Sequence, residues 1–257
     1  MRGRAQHIIK VKGCGIMDKL VQMLKESENI VFFGGAGVST ESGIPDFRSE
    51  QGIYKTQKQF GVSPEMILSH TYFLRHTEKF FKFYKSTMVY TEALPNKAHE
   101  ALAKLEALGK LKAVVTQNID GLHQAAGSKV VYELHGTIHK NKCMKCGRAY
   151  GLKDVMEAQG VPHCSECGGI IKPEVVLYEE SLDGETIERS IEAISKADML
   201  IVGGTSLNVY PAASFVRYYR GNRLVLINKS ETPYDNYADL LIHDSIGKVL
   251  SEAAAQL

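Results

Sequence analysis

Residues 30–48 have the sequence IVFFGGAGVSTESGIPDFR, and this stretch decides the fold that we expect for the chain. Its first four residues are apolar and predict a buried strand, which Gly34, Gly35 and Gly37 then follow. Glycines at the end of a strand let backbone N–H groups approach a phosphate, because no Cβ stands in the way. Such a turn is typical of the pyrophosphate site in a doubly wound parallel sheet.

The glycine pattern is incomplete. A full dinucleotide-binding pattern is G-x-G-x-x-G, and Thr40 stands where the third glycine belongs, so the pattern alone fits an ordinary tight turn about as well. Pro45 ends any short helix early, which leaves Asp46, Phe47 and Arg48 on a loop beside the glycines. An aromatic ring and a guanidinium there suit stacking on a ring and pairing with phosphate. No strand ending in Asp or Glu follows at the spacing of roughly 20 residues that a hydride-transfer dehydrogenase needs, so that class is disfavoured.

The composition is that of a soluble globular chain. With 257 residues, 44% of them apolar and 23% charged, the chain suits one large domain, or one with a small insert. The net charge of +2 is too small to indicate nucleic acid, and no apolar run reaches the roughly 18 residues of a membrane span. Residues 1–16 are basic and lack the apolar centre of a secretory signal. We therefore expect a flexible extension, or a start at Met17, rather than a targeting peptide, and a cytoplasmic location.

After the glycine turn, apolar segments of strand length alternate with amphipathic helical segments. The predicted strands are residues 30–33, 111–115, 130–134, 175–177, 199–202 and 224–227. The predicted helices are one with Asp18 as its N-cap and those over residues 96–108, 186–196 and 210–219. This alternation predicts an α/β fold, a Rossmann-like doubly wound parallel sheet, with ligands bound at the carboxyl edge of the strands.

Residues 49–95 interrupt the alternation, because they contain no predicted strand. A long strandless segment inside an α/β chain indicates a helical insert or a lid over the substrate. The aromatic run Phe80, Phe81, Phe83 and Tyr84 fits a packed core better than a ligand box.

Four of the five cysteines form two pairs, Cys143-x2-Cys146 and Cys164-x2-Cys167, with 17 residues between them. This is the spacing of a four-cysteine zinc ribbon, and four protein ligands close a tetrahedral site, so the zinc is expected to be structural. A pair of redox dithiols is the weaker alternative. His139 and His163 lie nearby and are expected not to be ligands, and Cys14 is expected to be inert.

The candidate chemical groups follow two of the predicted strands. His135 ends one of them beside Gly136, and although a lone histidine is usually structural, this place favours a general base. Gln117, Asn118 and Asp120 end the neighbouring strand and could fix a carboxamide and ribose hydroxyls. His123 is expected to pack in the core, and nothing in the spacing brings Asp46 and Asp120 together as a carboxylate pair.

Several motifs occur together in a fixed order: GAGVS (35–39), GIPDFR (43–48), TQNID (116–120), LHG (134–136), the two CxxC pairs, GTSL (204–207) and IN (227–228). With these motifs the chain resembles the sirtuin family of NAD-dependent protein deacylases, from about Met17 to its C-terminus. The resemblance implies a Rossmann-like NAD-binding domain of residues 17–48, 96–136 and 175–257. It also implies a small domain made of a helical module, residues 49–95, and a zinc-ribbon module, residues 137–174, with an acyl-lysine peptide added as a strand between the two domains.

The resemblance also implies the reaction. The acyl oxygen attacks the ribose carbon of NAD that carries nicotinamide, nicotinamide leaves, and the residue at the position of His135 deprotonates a ribose hydroxyl that attacks the imidate. The products are free lysine, nicotinamide and O-acetyl-ADP-ribose. The implied catalytic residues are His135 and Asn118. The implied NAD contacts are Ala36, Thr40, Phe47, Arg48, Gln117, Ile119, Asp120, His135, Thr205, Ser206, Asn228 and Ile246. The implied peptide contacts are Val175, Val176, Leu177 and Tyr178, and the implied zinc ligands are Cys143, Cys146, Cys164 and Cys167.

Two features depart from the family pattern. Tyr178 and Glu179 stand where the peptide-clamping segment usually has Phe and Gly, so the side-chain preference beside the acyl-lysine is open. Relatives that remove succinyl groups carry Tyr-x-x-Arg in the helical module, whereas Tyr84 is followed by Lys85, Ser86 and Thr87. We therefore expect uncharged acyl groups, with acetyl first.

Three functions remain in competition at this point. A protein-lysine deacetylase is favoured because His135 and the complete QNID motif are present. The same fold could act mainly as an ADP-ribosyltransferase, or as a non-enzymatic NAD-sensing scaffold. For the deacetylase the expected partners are acetylated protein lysines and nicotinamide, as product and inhibitor, with no nucleic acid and no membrane, and the chain is expected to be a monomer.

Overall fold

The computed structural model describes residues 14–46 and 50–257. The predictions made for Phe47, Arg48 and residues 1–13 lie outside these ranges. The first helix, α1, spans Cys14–Glu26, so Asp18 lies inside it and the prediction that Asp18 is its N-cap is wrong. Amphipathic packing continues upstream of Asp18, because Ile16 and Met17 also pack against the core.

The larger sheet has six parallel strands in the order β3-β2-β1-β7-β8-β9. The strands are β1 (Ile30–Gly34), β2 (Leu111–Thr116), β3 (Val131–Glu133), β7 (Met199–Gly203), β8 (Leu224–Ile227) and β9 (Leu240–Ile242). Five of them match the predictions, and β9 was missed because three residues carry too little periodicity to stand out. The α/β fold with a Rossmann-like parallel sheet is confirmed.

Helices cover both faces of this sheet, which is why its central strands are continuous apolar runs. In β1, Ile30 and Phe32 face one core and Val31 and Phe33 face the other. The first core is closed by α1, α6 (Lys97–Ala107) and α10 (Ile246–Ala254), and the second by α9 (Gly184–Lys196) and a 3-10 helix, Ala212–Tyr218.

Side-chain caps fix where two of these helices begin. Asn96 accepts from the N–H of Ala98 at 2.9 Å at the start of α6, and Asp183 accepts from the N–H of Thr186 at 2.8 Å at the start of α9. Gly109 has a φ of +74° just after α6, as a left-handed helix end requires. The helices predicted over these segments are confirmed to within two residues.

The smaller sheet has three antiparallel strands in the order β5-β4-β6. They are β4 (Gly136–Cys143), β5 (Ala149–Gly151) and β6 (Ile171–Val175), with α8 (Leu152–Glu157) after β5. The prediction that residues 175–177 form a strand of the parallel sheet is wrong. Val175 instead ends β6 opposite Gly136, because β4 turns away from the large sheet directly after His135.

The strandless segment is helical, as predicted. It contains α2 (Glu50–Phe60), α3 (Pro64–Ile67), α4 (His70–Arg75), α5 (Thr77–Phe83) and a π-helical turn, Tyr84–Met88. In the large domain, the short helix α7 (Leu122–Ala125) lies between β2 and β3. Its aromatic residues form a third core, shared with Ile138, Val155 and Ile171 of the metal-ribbon segment. Within the ranges that the structure describes, no helix is long and apolar enough to cross a membrane.

Candidate functional site

A cavity of about 240 Å³ opens at the carboxyl edge of the large sheet. One wall comes from the ends of β1 and β2, with Ala36, Gln117 and Asn118. The opposite wall comes from the segment after β6, and His135 lies between the two walls. The strand order therefore brings together predicted residues that are about 140 positions apart in the chain.

The glycine turn after β1 packs directly against the turn after β7. The N–H of Gly37 donates to the carbonyl of Gly204 at 2.8 Å, and a Cβ on Gly37 would lie 2.8 Å from the Cα of Gly204. Gly204 has a φ of +59°, and a Cβ there would overlap the backbone of Val38. Glycine at both positions therefore lets the two turns pack together, and it leaves Ala36 and Gly37 partly exposed at the end of β1, where Ala36 lines the cavity. This cradle fits the pyrophosphate of a dinucleotide.

A hydrogen-bonded chain orients the polar groups of the TQNID motif. Asn118 Nδ2 donates to Ser39 Oγ at 2.9 Å, and Ser39 Oγ donates to Asp120 Oδ2 at 2.6 Å. Gln117 Nε2 donates to Thr205 Oγ1 at 3.1 Å. Ser39, which is 1% exposed, was not predicted as a site residue, although it lies inside the GAGVS motif. Its hydroxyl can join the two strand ends only because β1 and β2 are neighbours.

His135 is held by the backbone of the neighbouring strand end. Its Nδ1 lies 3.0 Å from the carbonyl oxygen of Gln117. A carbonyl only accepts, so Nδ1 carries the hydrogen in the neutral ring, and Nε2 then has the lone pair that a general base needs. The next residue, Gly136, has a φ of +72°, and a Cβ there would overlap the carbonyl of Glu174. Glycine at 136 therefore lets the chain leave the large sheet after His135 and continue as β4, which pairs with β6.

The residues predicted on the adenosine side lie outside this cavity. Ser206 is exposed, and Asn228 donates its amide to the carbonyl of Ser230 at 2.8 Å. The side chain of Ile246 is 4% exposed and belongs to the first core. Thr40, which was predicted to contact NAD beside the glycine turn, also lies outside the cavity, and its hydroxyl donates to the carbonyl of Gly37 at 2.9 Å. Their contacts with NAD stay predictions.

The segment of residues 175–178 lines the cavity, as its predicted role requires. Its N–H groups are already used: Val176 donates to His135 O at 2.8 Å, Leu177 to Glu180 Oε2 at 2.9 Å, and Tyr178 to Leu68 O at 2.9 Å. The carbonyl of Val176 and the N–H of Glu179 have no hydrogen-bond partner within the described parts of the chain. These two groups are the ones that an added strand can use.

Two glutamates tie this segment to the helical module. Glu179 has a φ of +75°, and its Oε2 accepts from both the N–H and the hydroxyl of Thr71, at 2.9 and 2.7 Å. Glu180 accepts from Leu177 and also pairs with His70 Nδ1 at 2.7 Å and Lys172 Nζ at 3.1 Å. The left-handed backbone at 179 explains why the family usually has glycine there, and the Thr71 contacts oppose the strain in this chain.

Lys85 follows Tyr84, which lines the cavity, but its ammonium group is engaged elsewhere. Lys85 Nζ donates to the carbonyls of Ala158 and Gly160, at 2.5 and 3.0 Å, and burial lowers its pKa. No Lys or Arg of the described ranges lines the cavity, whereas Tyr84, Met88 and Leu68 do. Such a lining favours uncharged acyl groups, as expected from the missing arginine.

The four predicted cysteine ligands form one cluster, with their sulfur atoms within 4.8 Å of one another. Cys143 and Cys167 are 3.4 Å apart, and Cys146 and Cys164 are 3.6 Å apart. Tetrahedral Zn²⁺ with Zn–S bonds of about 2.3 Å sets its sulfur atoms about 3.8 Å apart, whereas a disulfide needs about 2.05 Å. The thiols therefore fit zinc. His139 and His163 contact the carbonyls of Asp120 and Gly168 and do not belong to the cluster.

Two further side chains support the metal site. Tyr150 Oη donates to Cys164 Sγ at 3.0 Å, and this hydrogen bond lowers the pKa of Cys164. Arg148 pairs with Glu166, which joins the two cysteine turns. Neither residue was predicted, because only the folded ribbon brings them together.

A buried histidine pair lies beneath the site. His99 and His123 are at most 1% exposed, their ring centroids are 4.7 Å apart, and neither ring nitrogen of His123 has a partner in the described structure. Burial, and then His99, lowers the pKa of His123 to about 3. His123 packs in the core, as predicted.

Comparisons with known proteins agree with this geometry. Residues 35–211 match the model of the Sir2 family. The chain is 62% identical to an NAD-dependent protein deacetylase of Clostridium acetobutylicum, over 91% of this chain and 98% of that protein. It is 58% identical to one of Clostridium tetani, over 93% of this chain and 97% of that protein.

Solved structures give the same result. A Sir2 homologue in complex with NAD has a TM-score of 0.84 and 37% identity, over 93% of this chain and 92% of that chain. A Sir2 complex with a p53 peptide and NAD has a TM-score of 0.82 and 37% identity, over 93% of this chain and 98% of that chain.

Proposed function

The chain belongs to the Sir2 family and is an NAD-dependent protein deacetylase, and we propose that the reaction takes place in the cavity beside His135. The observation that carries this proposal is the position of His135, between the glycine cradle on one side and the segment 175–178 on the other. The proposed domains are an NAD-binding domain of residues 17–48, 96–136 and 175–257 and a small domain of residues 49–95 and 137–174. The proposed peptide-binding segment, residues 175–178, lies where the small domain joins the last part of the NAD-binding domain.

NAD supplies an activated ribose carbon, because nicotinamide is a leaving group. We propose that Ala36 and Gly37, in the glycine turn after β1, bind the pyrophosphate of NAD. Gln117, Asn118 and Asp120 add amide and carboxylate groups whose directions Thr205 and Ser39 fix. Such fixed dipoles bind a ribose and a carboxamide without reorganisation during the reaction.

His135 is proposed to take a proton from a ribose hydroxyl at Nε2. Because Nδ1 faces the carbonyl of Gln117, this tautomer is set by the backbone and is kept as the ring approaches the substrate. A proton gained at Nε2 leaves Nδ1 still donating to the same carbonyl, which stabilises the imidazolium. Asn118, held through Ser39, is proposed to orient the same ribose.

The peptide is proposed to bind as an added strand beside residues 175–178. The carbonyl of Val176 and the N–H of Glu179 supply one acceptor and one donor to its backbone. The acetyl group then enters the part of the cavity lined by Leu68, Tyr84 and Met88. We further propose that the chain acts as a monomer in the cytoplasm, and that nicotinamide inhibits it as a product.

The test incubates an acetyl-lysine peptide with the protein, with and without NAD, and follows deacetylated peptide and nicotinamide by mass spectrometry. We expect His135→Ala to lower kcat by about 10²- to 10⁴-fold, the usual contribution of a general base. The exposed His76→Ala is the matched control and should leave the rate unchanged.

Two outcomes would contradict the proposal. Full activity of His135→Ala would remove His135 from the chemistry. Nicotinamide release with the acetyl group intact and mass added to a protein would instead indicate an ADP-ribosyltransferase.

A further inference from the structure

A surface rich in tyrosine and arginine adjoins the mouth of the cavity, and the reaction proposed above does not use most of it. The tyrosine-arginine surface consists of Tyr210, Arg217, Tyr218, Arg220 and Tyr237. Tyr210 belongs to both places, since it lines the cavity and is 62% exposed. Tyr237 is 67% exposed and Tyr218 is 42% exposed. Large aromatic side chains in such positions are not explained by core packing.

The guanidinium of Arg217 lies at the centre of this surface. Its Nε donates to Tyr234 Oη at 3.0 Å, and Tyr234, which is 8% exposed, has its ring centroid 6.0 Å from that of Tyr237. The hydrogen bond with Tyr234 raises the pKa of Arg217. Tyr210 comes just before the 3-10 helix, Ala212–Tyr218, that carries Arg217. Arg217 is thus held by Tyr234, which lies beside the exposed Tyr237, and its helix begins next to the exposed Tyr210.

The positive charge of the surface is not neutralised. Arg148, Arg189 and Arg223 each form an ion pair with a glutamate, whereas neither Arg217 nor Arg220 has a carboxylate partner in the described parts of the chain. Arg220 Nη1 donates instead to the backbone carbonyl of Arg217 at 2.9 Å, so the Arg220 guanidinium lies against the backbone of Arg217.

The nearby carboxylate of Asp235 is already used. It accepts from the N–H and the hydroxyl of Thr232, at 3.0 and 2.6 Å, and faces His243 at 3.7 Å. The surface therefore keeps its two guanidinium groups available to an external carboxylate. Tyrosine and arginine are also the residue types enriched where proteins recognise one another.

We propose that the tyrosine-arginine surface binds the part of the protein substrate that flanks the acetyl-lysine, and that it selects substrates with acidic residues there. This inference rests on the proposed function of the cavity. The surface is continuous with the cavity through Tyr210, so a peptide that leaves the cavity on this side passes over it within a few residues, at about 3.3 Å per residue. A planar guanidinium pairs with a carboxylate through two parallel hydrogen bonds, and tyrosine rings cover the apolar parts of the same segment.

The test compares two kinds of substrate. One is a blocked acetyl-lysine amide, which fills the cavity but has no flanking residues. The other is a set of 13-residue acetyl-lysine peptides that carry one Asp or one Asn at each position on either side of the lysine. The variants are Arg217→Gln with Arg220→Gln, and Arg189→Gln as the control, since Arg189 lies on α9 and pairs with Glu185.

We expect Asp to lower KM about three- to ten-fold relative to Asn at one or two positions on one flank, the range of an exposed or partly buried ion pair. The effect should weaken in 0.5 M NaCl, in which the Debye length is about 4–5 Å, and should disappear in the double arginine variant. kcat, and all rates with the blocked acetyl-lysine amide, should stay unchanged in both variants.

The proposal is overturned if the wild-type protein does not distinguish Asp from Asn at any position, or if the double variant keeps the preference. Equal loss of activity on the short amide would show that the two arginines support the fold or the cavity rather than a docking surface. If no substrate is deacetylated, the proposed function fails, and fluorescence anisotropy of the same labelled peptides still decides whether the surface prefers Asp. Tighter binding of an RNA oligonucleotide or of anionic vesicles than of any acidic peptide would overturn the choice of a protein partner.

Discussion

The six-stranded sheet and the three-stranded sheet form opposite walls of one cavity, and different interactions stabilise them. The large sheet lies between two apolar cores, and its share of the site lies at the carboxyl ends of its strands. The small sheet packs its strands β4 and β6 against the helical module, and four cysteines close its far end. Two carboxylates hold its share of the cavity in place. Glu179 binds Thr71, and Glu180 binds His70 and Lys172.

This difference separates the NAD-binding wall, whose position follows from the fold, from the peptide-binding wall, whose position depends on additional interactions. A parallel sheet positions a ligand wherever its strands end, so the NAD wall follows from strand order. The peptide wall depends on a metal and on particular hydrogen bonds, each of which can be removed separately.

Removal of zinc should unfold the small module and leave the large sheet intact. Structural zinc contributes on the order of 10 kcal/mol to such ribbons, whereas the two cores of the large sheet do not contain the cysteines. After chelation, amides in β4, β5 and β6 should exchange rapidly with deuterium while those in β1, β2 and β7 stay protected. Equal loss of protection in both sheets would show that the two walls fold as one unit.

Gly37→Ala should damage the NAD wall alone. The new Cβ would lie 2.8 Å from the Cα of Gly204, so the two turns must separate, at a cost of about 2–3 kcal/mol. We expect weaker NAD binding, measured by calorimetry, and a lower midpoint of unfolding, with zinc content unchanged. Gly184→Ala is the control, since nothing lies within 4 Å of its Cβ. Unaltered NAD affinity in Gly37→Ala would argue against the cradle.

Glu180→Gln should loosen the peptide wall alone. The carboxylate uses both oxygens, one for His70 and one for Leu177 and Lys172, and an amide would turn an NH₂ group toward one of these donors. A lost charge-assisted hydrogen bond costs about 2 kcal/mol, so we expect KM for the peptide to rise about ten-fold or more while KM for NAD changes little. Exposed Glu157→Gln is the control. Equal rises in both KM values would mean that residue 180 supports the whole cavity.

Acidification should weaken the large sheet through the histidine pair on its helices. The pKa of His123 is lowered to about 3 in the folded protein, and an unfolded histidine has a pKa of about 6.5. Below pH 6.5 the unfolded state therefore binds more protons, and the stability present at pH 7 is lost as the pH falls. His123 alone should lower the free energy of unfolding by about 1.2 kcal/mol between pH 7 and 5.5.

Urea unfolding at the two pH values measures this loss, and the comparison of His123→Leu with the exposed control His76→Leu assigns it. Between pH 7 and 5.5, the free energy of unfolding of His123→Leu should fall by about 1.2 kcal/mol less than that of the control. An unchanged pH dependence in His123→Leu would assign the acid sensitivity to other groups.

The predictable parts of the site share one physical property, which is that their determinants are local in the chain. The glycine turn, the CxxC pairs and the apolar strands each lie within a few residues of sequence, and the observed strands and thiol cluster match them. Residues that act across distant segments could not be found in this way. Ser39 between Asn118 and Asp120, Tyr150 on Cys164, and the Glu180 network all join separate elements.

The sequence by itself determined the α/β class, the parallel sheet, the four metal ligands and His135 as the candidate base, because residue type and spacing carry that information. Only the tertiary structure decided the rest. It placed Val175 in the antiparallel sheet, since Gly136 with its positive φ directs β4 away from β3 toward β6. It also set the tautomer of His135 through the carbonyl of Gln117, a contact between strand ends that no spacing within one segment can encode.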